Sequence, residues 1–335
     1  MTPDIRQMPA LPHPLLVADI GGTNCRVAIV DAPGSAPVVI RRLSTKGEAS
    51  CEAALSRAVT EAGVKPRAAI LAVAGPVIGL CAELTNAGWS FDSRSLMAAL
   101  GVEQGLLLND FEALACSLPL LGPRDLTAVG GGLAGDGARL VLGPGTGFGA
   151  AALAGRDGRH VLVPTEAGHM ELGPVTADEY VLWPFIMRVD GRVTVESVLS
   201  GAGLARLDAA LRRRAGDDAA CADGAMVSRR AEAGDTVALA AIRLFGRLLA
   251  RVAGDLALAF KATGGVFIAG GIAPRLLPLF DVSEMRSAFV SKPPMQALVE
   301  DVPLWIVTGP DPAERGLAKV ALDPAVFGLD SRLWD

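Results

Sequence analysis

Asn109 and Asp110 stand where a side chain could take a proton from a substrate. They follow an apolar run at residues 106–108 and precede the segment Phe-Glu-Ala-Leu at 111–114. This order predicts a buried strand that ends at a strand-to-helix junction, where open α/β folds place their chemistry. Asp110 is therefore the candidate general base. An Asn-Asp pair before a helix is more often only an N-cap, so the interpretation depends on the rest of the chain.

Three glycine-rich turns strengthen the chemical interpretation, because each follows an apolar strand pattern. The first glycine turn (residues 19–24), the second (143–149) and the third (270–271) contain these candidate residues: Asp19, Gly21, Gly22, Thr23 and Asn24; Gly145, Thr146 and Gly147; Gly270 and Gly271. Glycine lets backbone N–H groups approach phosphate oxygens without a Cβ in the way, and threonine hydroxyls add donors. The sequence contains neither a P-loop nor the protein-kinase signature set. A base combined with three such turns predicts a phosphoryl-transfer cleft.

Length and composition limit the class of protein. The chain has 335 residues, of which 51% are hydrophobic, so we expect two α/β domains with a cleft between them. A net charge of −5 argues against a nucleic-acid surface. The five cysteines are widely spaced and form no Cys-x-x-Cys, which predicts buried thiols in a reducing compartment and neither a disulfide framework nor a zinc site. We therefore expect a cytoplasmic protein that acts on a small molecule.

The elements that must position these residues follow a regular alternation. Strand and helix patterns recur in the first half of the chain as follows: strands at 15–19, 26–30, 68–74 and 105–108, helices at 50–62 and 93–100. This alternation is typical of a largely parallel sheet covered by helices. The order strand, glycine turn, strand returns at 139–153, a weak internal repeat in which each hairpin opens a domain. Further downstream we expect helices at 195–200, 202–214, 236–260 and 312–322, and strands at 266–269 and 304–307.

Three other segments carry structural expectations. Residues 1–14 are predicted to be a disordered leader, and the glycine-rich stretch 122–137 a flexible connection. The helix at 236–260 is apolar enough to imitate a membrane span. However, Arg243, Arg247, Arg251 and Asp255 recur every four residues along it, which predicts one polar stripe on a helix that does not cross a membrane.

Taken in order, these segments resemble the motifs of the bacterial glucokinases, in the superfamily of hexokinase, the heat-shock ATPases and actin. The resemblance rests on residues 16–24, 85–86 with Trp89, 109–111, 143–149, 164–169, 196–201 and 265–272. It implies an α/β fold of two actin-like, ribonuclease H-like domains with a ligand cleft between them. The small domain would hold 15–119 and 310–335, and the large domain 120–309.

The resemblance also implies a role for each matched residue. The residues implied to bind the sugar are Asn86, Asn109, Asp110, Glu166, His169 and Glu196, with Asp110 as the base for the 6-hydroxyl. The glycine-turn residues named above would bind ATP, and Asp19 would hold Mg²⁺ through water. The implied reaction is the ATP-dependent conversion of glucose to glucose 6-phosphate, in a homodimer.

Less specific interpretations of the same residues stay open at this stage. Glu166 and His169 are three residues apart and could form an isolated surface pair, while Glu196 could serve only to stabilise the start of a helix. A kinase for another hexose and a non-catalytic sugar sensor are the alternative functions. A sensor would tend to lose the base or the phosphate turns, and this chain has both.

Overall fold

The structure is a computed structural model, and it describes residues 11–75, 77–84, 88–156, 158–217, 219, 221–329 and 333–334. The described residues fall into two compact units. The first unit draws on Met1–Leu121, Leu153–Pro164 and Gly309–Asp335, and the second on Gly122–Ala152 and Thr165–Thr308. The boundaries of the small and large domains that the sequence implies stay a prediction.

Strands and helices alternate along much of the described chain. The strands are β1 (Leu15–Ile20), β2 (Asn24–Val30), β3 (Val38–Ser44), β4 (Ala68–Val73), β5 (Val77–Ile78), β6 (Cys81–Leu84), β7 (Trp89–Asp92), β8 (Gln104–Asn109), β9 (Leu126–Gly130), β10 (Arg139–Pro144), β11 (Phe148–Arg156), β12 (Arg159–Thr165), β13 (Val266–Ile268), β14 (Leu304–Val307) and β15 (Leu333–Trp334). The α-helices are α1 (Cys51–Glu61), α2 (Ser93–Leu100), α3 (Asp110–Ser117), α4 (Ala177–Leu182), α5 (Val195–Val198), α6 (Gly201–Arg214), α7 (Gly224–Glu232), α8 (Thr236–Ala259), α9 (Ala273–Leu276), α10 (Val282–Val290) and α11 (Pro312–Leu322).

One six-stranded sheet organises the first unit, in the order β15-β8-β4-β1-β2-β3. Strands β1, β4 and β8 are parallel, and β1 turns back into β2 as the predicted hairpin. All six residues of β4 are buried, as expected of a parallel strand covered on both faces. The carboxyl ends of β1 and β8 carry Asp19 and Asn109.

A second six-stranded sheet has the order β12-β11-β10-β13-β14-β9. Its strands β10, β13 and β14 are parallel neighbours, and β9 pairs antiparallel with β14. The long helix α8 contributes many buried residues to the core of the second unit, among them Phe245 and Leu249. Strands β10 and β13, which lead into the second and third glycine turns, are thus neighbours in this sheet.

The mixed α/β class predicted from the sequence is confirmed, and several element predictions agree closely with the structure. Helices α2 and α11 and strand β14 have the predicted bounds. Asp92 caps α2 and Ser50 caps α1, because each accepts a hydrogen bond from a backbone N–H in the first turn of its helix.

The prediction of a flexible connection at 122–137 is wrong. Strand β9 lies in this stretch, and beyond it the Gly132 N–H donates to Asp301 O at 2.8 Å. A Cβ on Gly131 would lie 2.5 Å from Val302 O, and its φ of 117° is one that glycine favours. These glycines permit close backbone packing and do not make the segment a flexible connection.

Two smaller expectations also need correction. The predicted leader ends too late, because Leu11 is buried and its N–H donates to Ala321 O at 3.2 Å, while residues 1–10 lie outside the described part of the chain. All five cysteines are free, but Cys81 is exposed where a buried thiol was predicted. Cys81 lies on the short strand β6, whose residues alternate between exposed and buried.

The polar stripe on α8 does not simply face water. Arg251 Nη1 lies 2.5 Å from Glu179 Oε2, and Arg247 Nη2 lies 3.3 Å from Glu179 Oε1. Asp255 pairs with Lys292 at 2.8 Å. The stripe therefore fastens α4 and the segment after α10 to α8. Among the described helices, none combines the length and apolarity that crossing a membrane would require.

Candidate functional site

Asn109 and Asp110 lie at the predicted strand-to-helix junction and have different structural roles. Asn109 ends β8 and is the N-cap of α3, since its Oδ1 accepts the Phe111 N–H at 2.9 Å. The Glu112 carboxylate accepts the Asn109 N–H at 2.9 Å and completes a capping box. Asn109 Nδ2 donates to Gly75 O at 3.2 Å, which ties the junction to the end of β4.

Asp110 is the first residue of α3 and is half-buried. Its Oδ1 lies 3.0 Å from the N of Phe111. A carboxylate in this first turn interacts favourably with the positive end of the helix dipole. Asn109 supplies the cap of α3, so the N-cap interpretation applies to Asn109 and not to Asp110.

Asp19 belongs to a row of charged residues on one face of the first sheet. In the antiparallel register Asp19 is opposite Arg26, and Arg26 is opposite Arg42. Side chains of directly opposed residues share a sheet face. Arg26 Nη1 lies 2.8 Å from Glu314 Oε1 and 2.9 Å from Asp311 Oδ1, both near the start of α11.

This arrangement changes the acidity of Asp19. Burial, together with the Glu314 carboxylate and to a smaller extent Asp311, raises the pKa of Asp19 to about 6, while Arg26 opposes the rise. Glu314 is itself fully buried. Glu314 and Asp311 therefore add negative charge near Asp19, which favours a bound cation there, although Arg26 offsets part of that charge.

A cavity of about 500 Å³ opens beside this row of charges. It falls within the size range of small-molecule sites. Its lining residues come from the ends of β1, β2 and β3: Asp19, Asn24, Cys25, Arg26, Arg42, Leu43 and Ser44. In the first glycine turn the Gly21 N–H donates to Asn24 O at 2.9 Å, while Thr23 and Asn24 are exposed.

In the second unit, the second and third glycine turns meet. Each follows the carboxyl end of one of the parallel neighbours β10 and β13. Gly270 has a φ of 88°, and a Cβ there would lie 2.6 Å from Pro144 O, so the two turns touch through their backbones. The Gly145 N–H donates to Gly147 O at 2.8 Å, and Thr146, Gly270 and Gly271 are exposed. Exposed backbone and hydroxyl donors of this kind can bind phosphate oxygens.

The three sugar-binding candidates of the second unit lie near the second glycine turn. Glu196 Oε2 accepts the Phe148 N–H at 2.9 Å, and a Cβ on Gly168 would lie 3.5 Å from Cβ of Glu196. Glu166 and His169 stand on either side of Gly168, 3.8 Å apart between Oε2 and Nε2, with side chains 75% and 62% exposed. Two exposed polar side chains with so loose a mutual contact are accessible to a ligand. Asn86 lies outside the described residues.

Sequence analysis missed Arg26, Asp311 and Glu314. The hairpin signal could have identified Arg26, because pairing around the first glycine turn puts it opposite Asp19. Nothing local could have identified Glu314, which is 288 residues away from Arg26 along the chain.

A magnesium ion is implied by the sequence resemblance, and the residues present are compatible with it. Within the described part of the chain, no group of three or more His, Cys, Asp or Glu side chains is arranged to hold a metal. Mg²⁺ in phosphoryl-transfer sites commonly takes one or two carboxylates and completes its shell with water and substrate phosphates. The half-buried carboxylate of Asp19, which has the carboxylates of Glu314 and Asp311 nearby, fits that pattern.

Comparison with known proteins gives one consistent family. The family model described as Glucokinase matches residues 16–324. The glucokinase of Rhizobium meliloti (strain 1021) is 40% identical over 330 residues, which is 97% of each chain. The crystal structure of a glucokinase from an Antarctic psychrotroph matches with a TM-score of 0.78 and 34% identity, over 92% of this chain and 98% of that one. At 22% identity and a TM-score of 0.78, the Balamuthia mandrillaris glucokinase in complex with glucose supports the fold alone, over 92% of this chain and 93% of that one. The family predicted from the motifs is confirmed: the chain belongs to the glucokinase family, whose enzymes phosphorylate glucose with ATP.

Proposed function

We propose that this chain transfers the γ-phosphoryl group of ATP to the 6-hydroxyl of glucose, with Asp110 as the general base. The observation that carries the assignment is the position of Asp110 at the first residue of α3, with the capping role taken by Asn109. A family of glucose kinases requires a group that accepts the hydroxyl proton, and Asp110 meets the chemical requirement.

The proposed step breaks the bond between the γ-phosphorus and the oxygen that bridges it to ADP. The 6-oxygen of glucose forms a new bond to that phosphorus while its proton passes to the Asp110 carboxylate. ADP leaves with the electron pair of the broken bond, and Asp110 later releases the proton to water. Alignment and charge neutralisation supply most of the rate in such reactions.

Glucose presents hydroxyl groups that are both donors and acceptors, so carboxylates, amides and an imidazole are suitable partners. We assign this role to Asn86, Asn109, Glu166, His169 and Glu196, besides Asp110. The exposure of Glu166 and His169 supports the assignment, because neither side chain is committed to the core.

The three glycine turns are assigned to the phosphates of ATP. Thr23 and Thr146 would donate hydroxyl hydrogen bonds, and the backbone N–H groups of the second and third turns would bind oxygens directly. Asp19 would hold Mg²⁺ through water. The bound ion would neutralise charge on the phosphates during transfer.

A coupled assay across hexoses and phosphate donors tests the proposal. We expect ADP production that depends on glucose, ATP and Mg²⁺, with less turnover of mannose or N-acetylglucosamine. Faster turnover of another hexose would favour that sugar as substrate. Sugar binding without turnover by any hexose would support a sensor instead.

Alanine substitution of Glu166 or His169 tests the sugar-binding assignment. Each variant should raise the KM for glucose, because the hydroxyl that it binds loses its partner, with a smaller change in the KM for ATP. Unaltered glucose kinetics in both variants would remove these two residues from the sugar site.

The proposed setting is the cytoplasm, and the proposed assembly is a homodimer. Five free thiols suit a reducing compartment. Light scattering coupled to size exclusion measures the molar mass directly, and a value near twice 34.4 kDa would support the dimer.

A further inference from the structure

Glu196 connects the second glycine turn to the residues assigned to the sugar. Its Oε2 accepts the Phe148 N–H at 2.9 Å. A Cβ added to Gly147 would collide with that same oxygen and would lie 3.2 Å from Cδ of Glu196. The carboxylate therefore packs directly against the backbone of the turn. Position 147 can be only glycine while Glu196 keeps this position.

The other side of Glu196 faces the sugar segment, residues 166–169. A Cβ on Gly168 would lie 2.5 Å from Phe148 O and 3.5 Å from Cβ of Glu196. Phe148 thus contacts Glu196 through its N–H and Gly168 through its carbonyl. Glu196, Phe148 and Gly168 form one closely packed cluster.

Backbone pairing extends this cluster. The Leu172 N–H donates to Val193 O, and the Val195 N–H donates to Met170 O, both at 2.9 Å. Arg192 Nη2 donates to His169 O at 3.0 Å. The chain next to the sugar segment is therefore hydrogen-bonded to the chain that leads into Glu196.

We propose that Glu196 is a positioning residue for the second glycine turn as well as a sugar ligand, so that nucleotide affinity and glucose affinity are coupled through its carboxylate. Oε2 holds the turn through Phe148, and Oε1 is left for a sugar hydroxyl. A shift of the carboxylate towards the sugar changes the hydrogen bond to the turn, and a shift of the turn moves the carboxylate. Coupling of this kind is reciprocal: each ligand changes the affinity of the other by the same factor.

This inference rests on the proposed function, and its first test needs no sugar. Binding of ADP with Mg²⁺ is measured by calorimetry in the absence of glucose. Glu196→Ala leaves the Phe148 N–H without its acceptor and should weaken ADP binding about fivefold or more, the lower end of typical coupling factors. Glu196→Gln retains an oxygen that can accept this hydrogen bond and should restore most of the affinity. Glu166→Ala is the matched control, because that carboxylate makes no described contact with the turn and its loss should leave ADP binding unchanged.

The second test changes the turn and measures the sugar. Gly147→Ala places a Cβ against Glu196 and should weaken glucose binding, measured by calorimetry without nucleotide, about fivefold or more. Gly145→Ala is the control within the same turn, since a Cβ there meets nothing within 4 Å, and glucose affinity should not change. In the double variant Gly147→Ala with Glu196→Ala, the turn substitution should add little to the loss already caused at Glu196.

The outcomes separate the two proposals. If Glu196→Ala binds ADP as tightly as the unchanged protein, the positioning role is wrong whether or not the chain phosphorylates glucose. If Gly147→Ala folds and binds glucose normally, the coupling is wrong. If Gly147→Ala fails to fold, the ADP measurements on the Glu196 variants still decide whether Glu196 positions the second glycine turn. A protein that binds ADP as predicted but neither binds nor phosphorylates glucose would retain the positioning role and contradict the proposed function.

Discussion

The amide of Asn109 caps helix α3, and the carboxylate of its neighbour Asp110 is the proposed general base. Asn109 uses its Oδ1 for the Phe111 N–H and its Nδ2 for Gly75 O. Both of its polar atoms hold the backbone at the end of β8. Asn109 therefore helps to orient the Asp110 side chain. Only Asp110 is proposed to exchange a proton.

Asp110→Asn tests the proposed base. The substitution retains shape and hydrogen-bonding capacity and removes the proton acceptor. We expect kcat to fall by on the order of 10² to 10⁴, the usual range for a positioned acid or base, with a much smaller change in glucose affinity measured by calorimetry.

Asn109→Ala tests the capping role separately from the base. It should lower the free energy of unfolding by about 1 kcal/mol through loss of the cap, without removing the base. Near-normal kcat in Asp110→Asn would show that Asp110 is structural and would remove the central element of the mechanism.

Asp19 carries a stability cost that depends on pH. Burial and the neighbouring Glu314 raise the pKa of Asp19 to about 6, above the ordinary value of 3.8. Between these two values the native protein keeps a proton that the unfolded chain has lost, so this residue lowers stability as the pH rises from about 4 to about 6. Above that window the penalty is constant.

Asp19→Asn should therefore raise the melting temperature at pH 7.5 in the absence of Mg²⁺, and the gain should shrink at pH 4.5. The expected free-energy difference at the higher pH is about 1–3 kcal/mol, since each unit of pKa shift corresponds to about 1.4 kcal/mol and Asp19 keeps part of its surface accessible. The same variant should lose activity. A melting-temperature difference independent of pH would contradict the assignment of this cost to the charge of Asp19.

At the scale of elements, helix α11 is fastened to the first sheet by charge. Its N-cap, Asp311, has a left-handed backbone with φ 49°, a conformation that costs a residue with a side chain about 1–3 kcal/mol. Arg26 contacts both Asp311 and the buried Glu314, and Arg42 reaches Asp311 at 3.5 Å. The β2–β3 hairpin thus holds the start of a helix that is distant in the sequence.

Removal of Arg26 should be costly. Arg26→Ala leaves the buried Glu314 carboxylate without its cation, and loss of one partner from a buried pair typically costs about 3 kcal/mol or more. Denaturation by urea measures this loss.

Arg67→Ala provides the comparison. Arg67 pairs with Glu103 at 2.7 Å, but both side chains are 55% exposed. An exposed pair contributes about 1 kcal/mol or less. Equal destabilisation by the two substitutions would contradict the proposed role of burial in fastening α11.

At the scale of the whole molecule, the residues assigned to one reaction come from both compact units. Asp19, Asn109 and Asp110 belong to the first unit, and Glu166, His169 and Glu196 to the second. Each set is held within its own unit by contacts that need no ligand. Binding of substrate should then stabilise the folded protein by mass action.

Glucose should raise the melting temperature in a way that depends on stereochemistry. At a concentration 100 times its Kd, a ligand that binds only the native state adds about 2.7 kcal/mol of stability. We expect D-glucose to produce a clear shift in a fluorescence melting experiment and L-glucose to produce none. Equal shifts with both enantiomers would indicate a solvent effect of the sugar and would count against a specific site.

Local signals allowed a large part of this molecule to be predicted from its sequence. The junction at Asn109 and Asp110, the first hairpin and the bounds of α2 and α11 all follow from apolar runs, caps and glycines that act over a few residues. The family was also accessible, because its motifs are short segments in a fixed order. These features are encoded where they occur.

Tertiary structure alone decided which distant groups meet. Glu314 lies 288 residues from Arg26 and Glu196 lies 48 residues from Phe148, so no local pattern records either contact. The glycines at 130–132 could not be interpreted from the sequence for the same reason. A glycine in a flexible connection and a glycine that permits close packing are the same residue in the sequence. Whether Asp19 is costly, whether Glu196 holds a turn and whether a stretch of glycines is flexible all depend on neighbours that arrive only when sheets and helices pack.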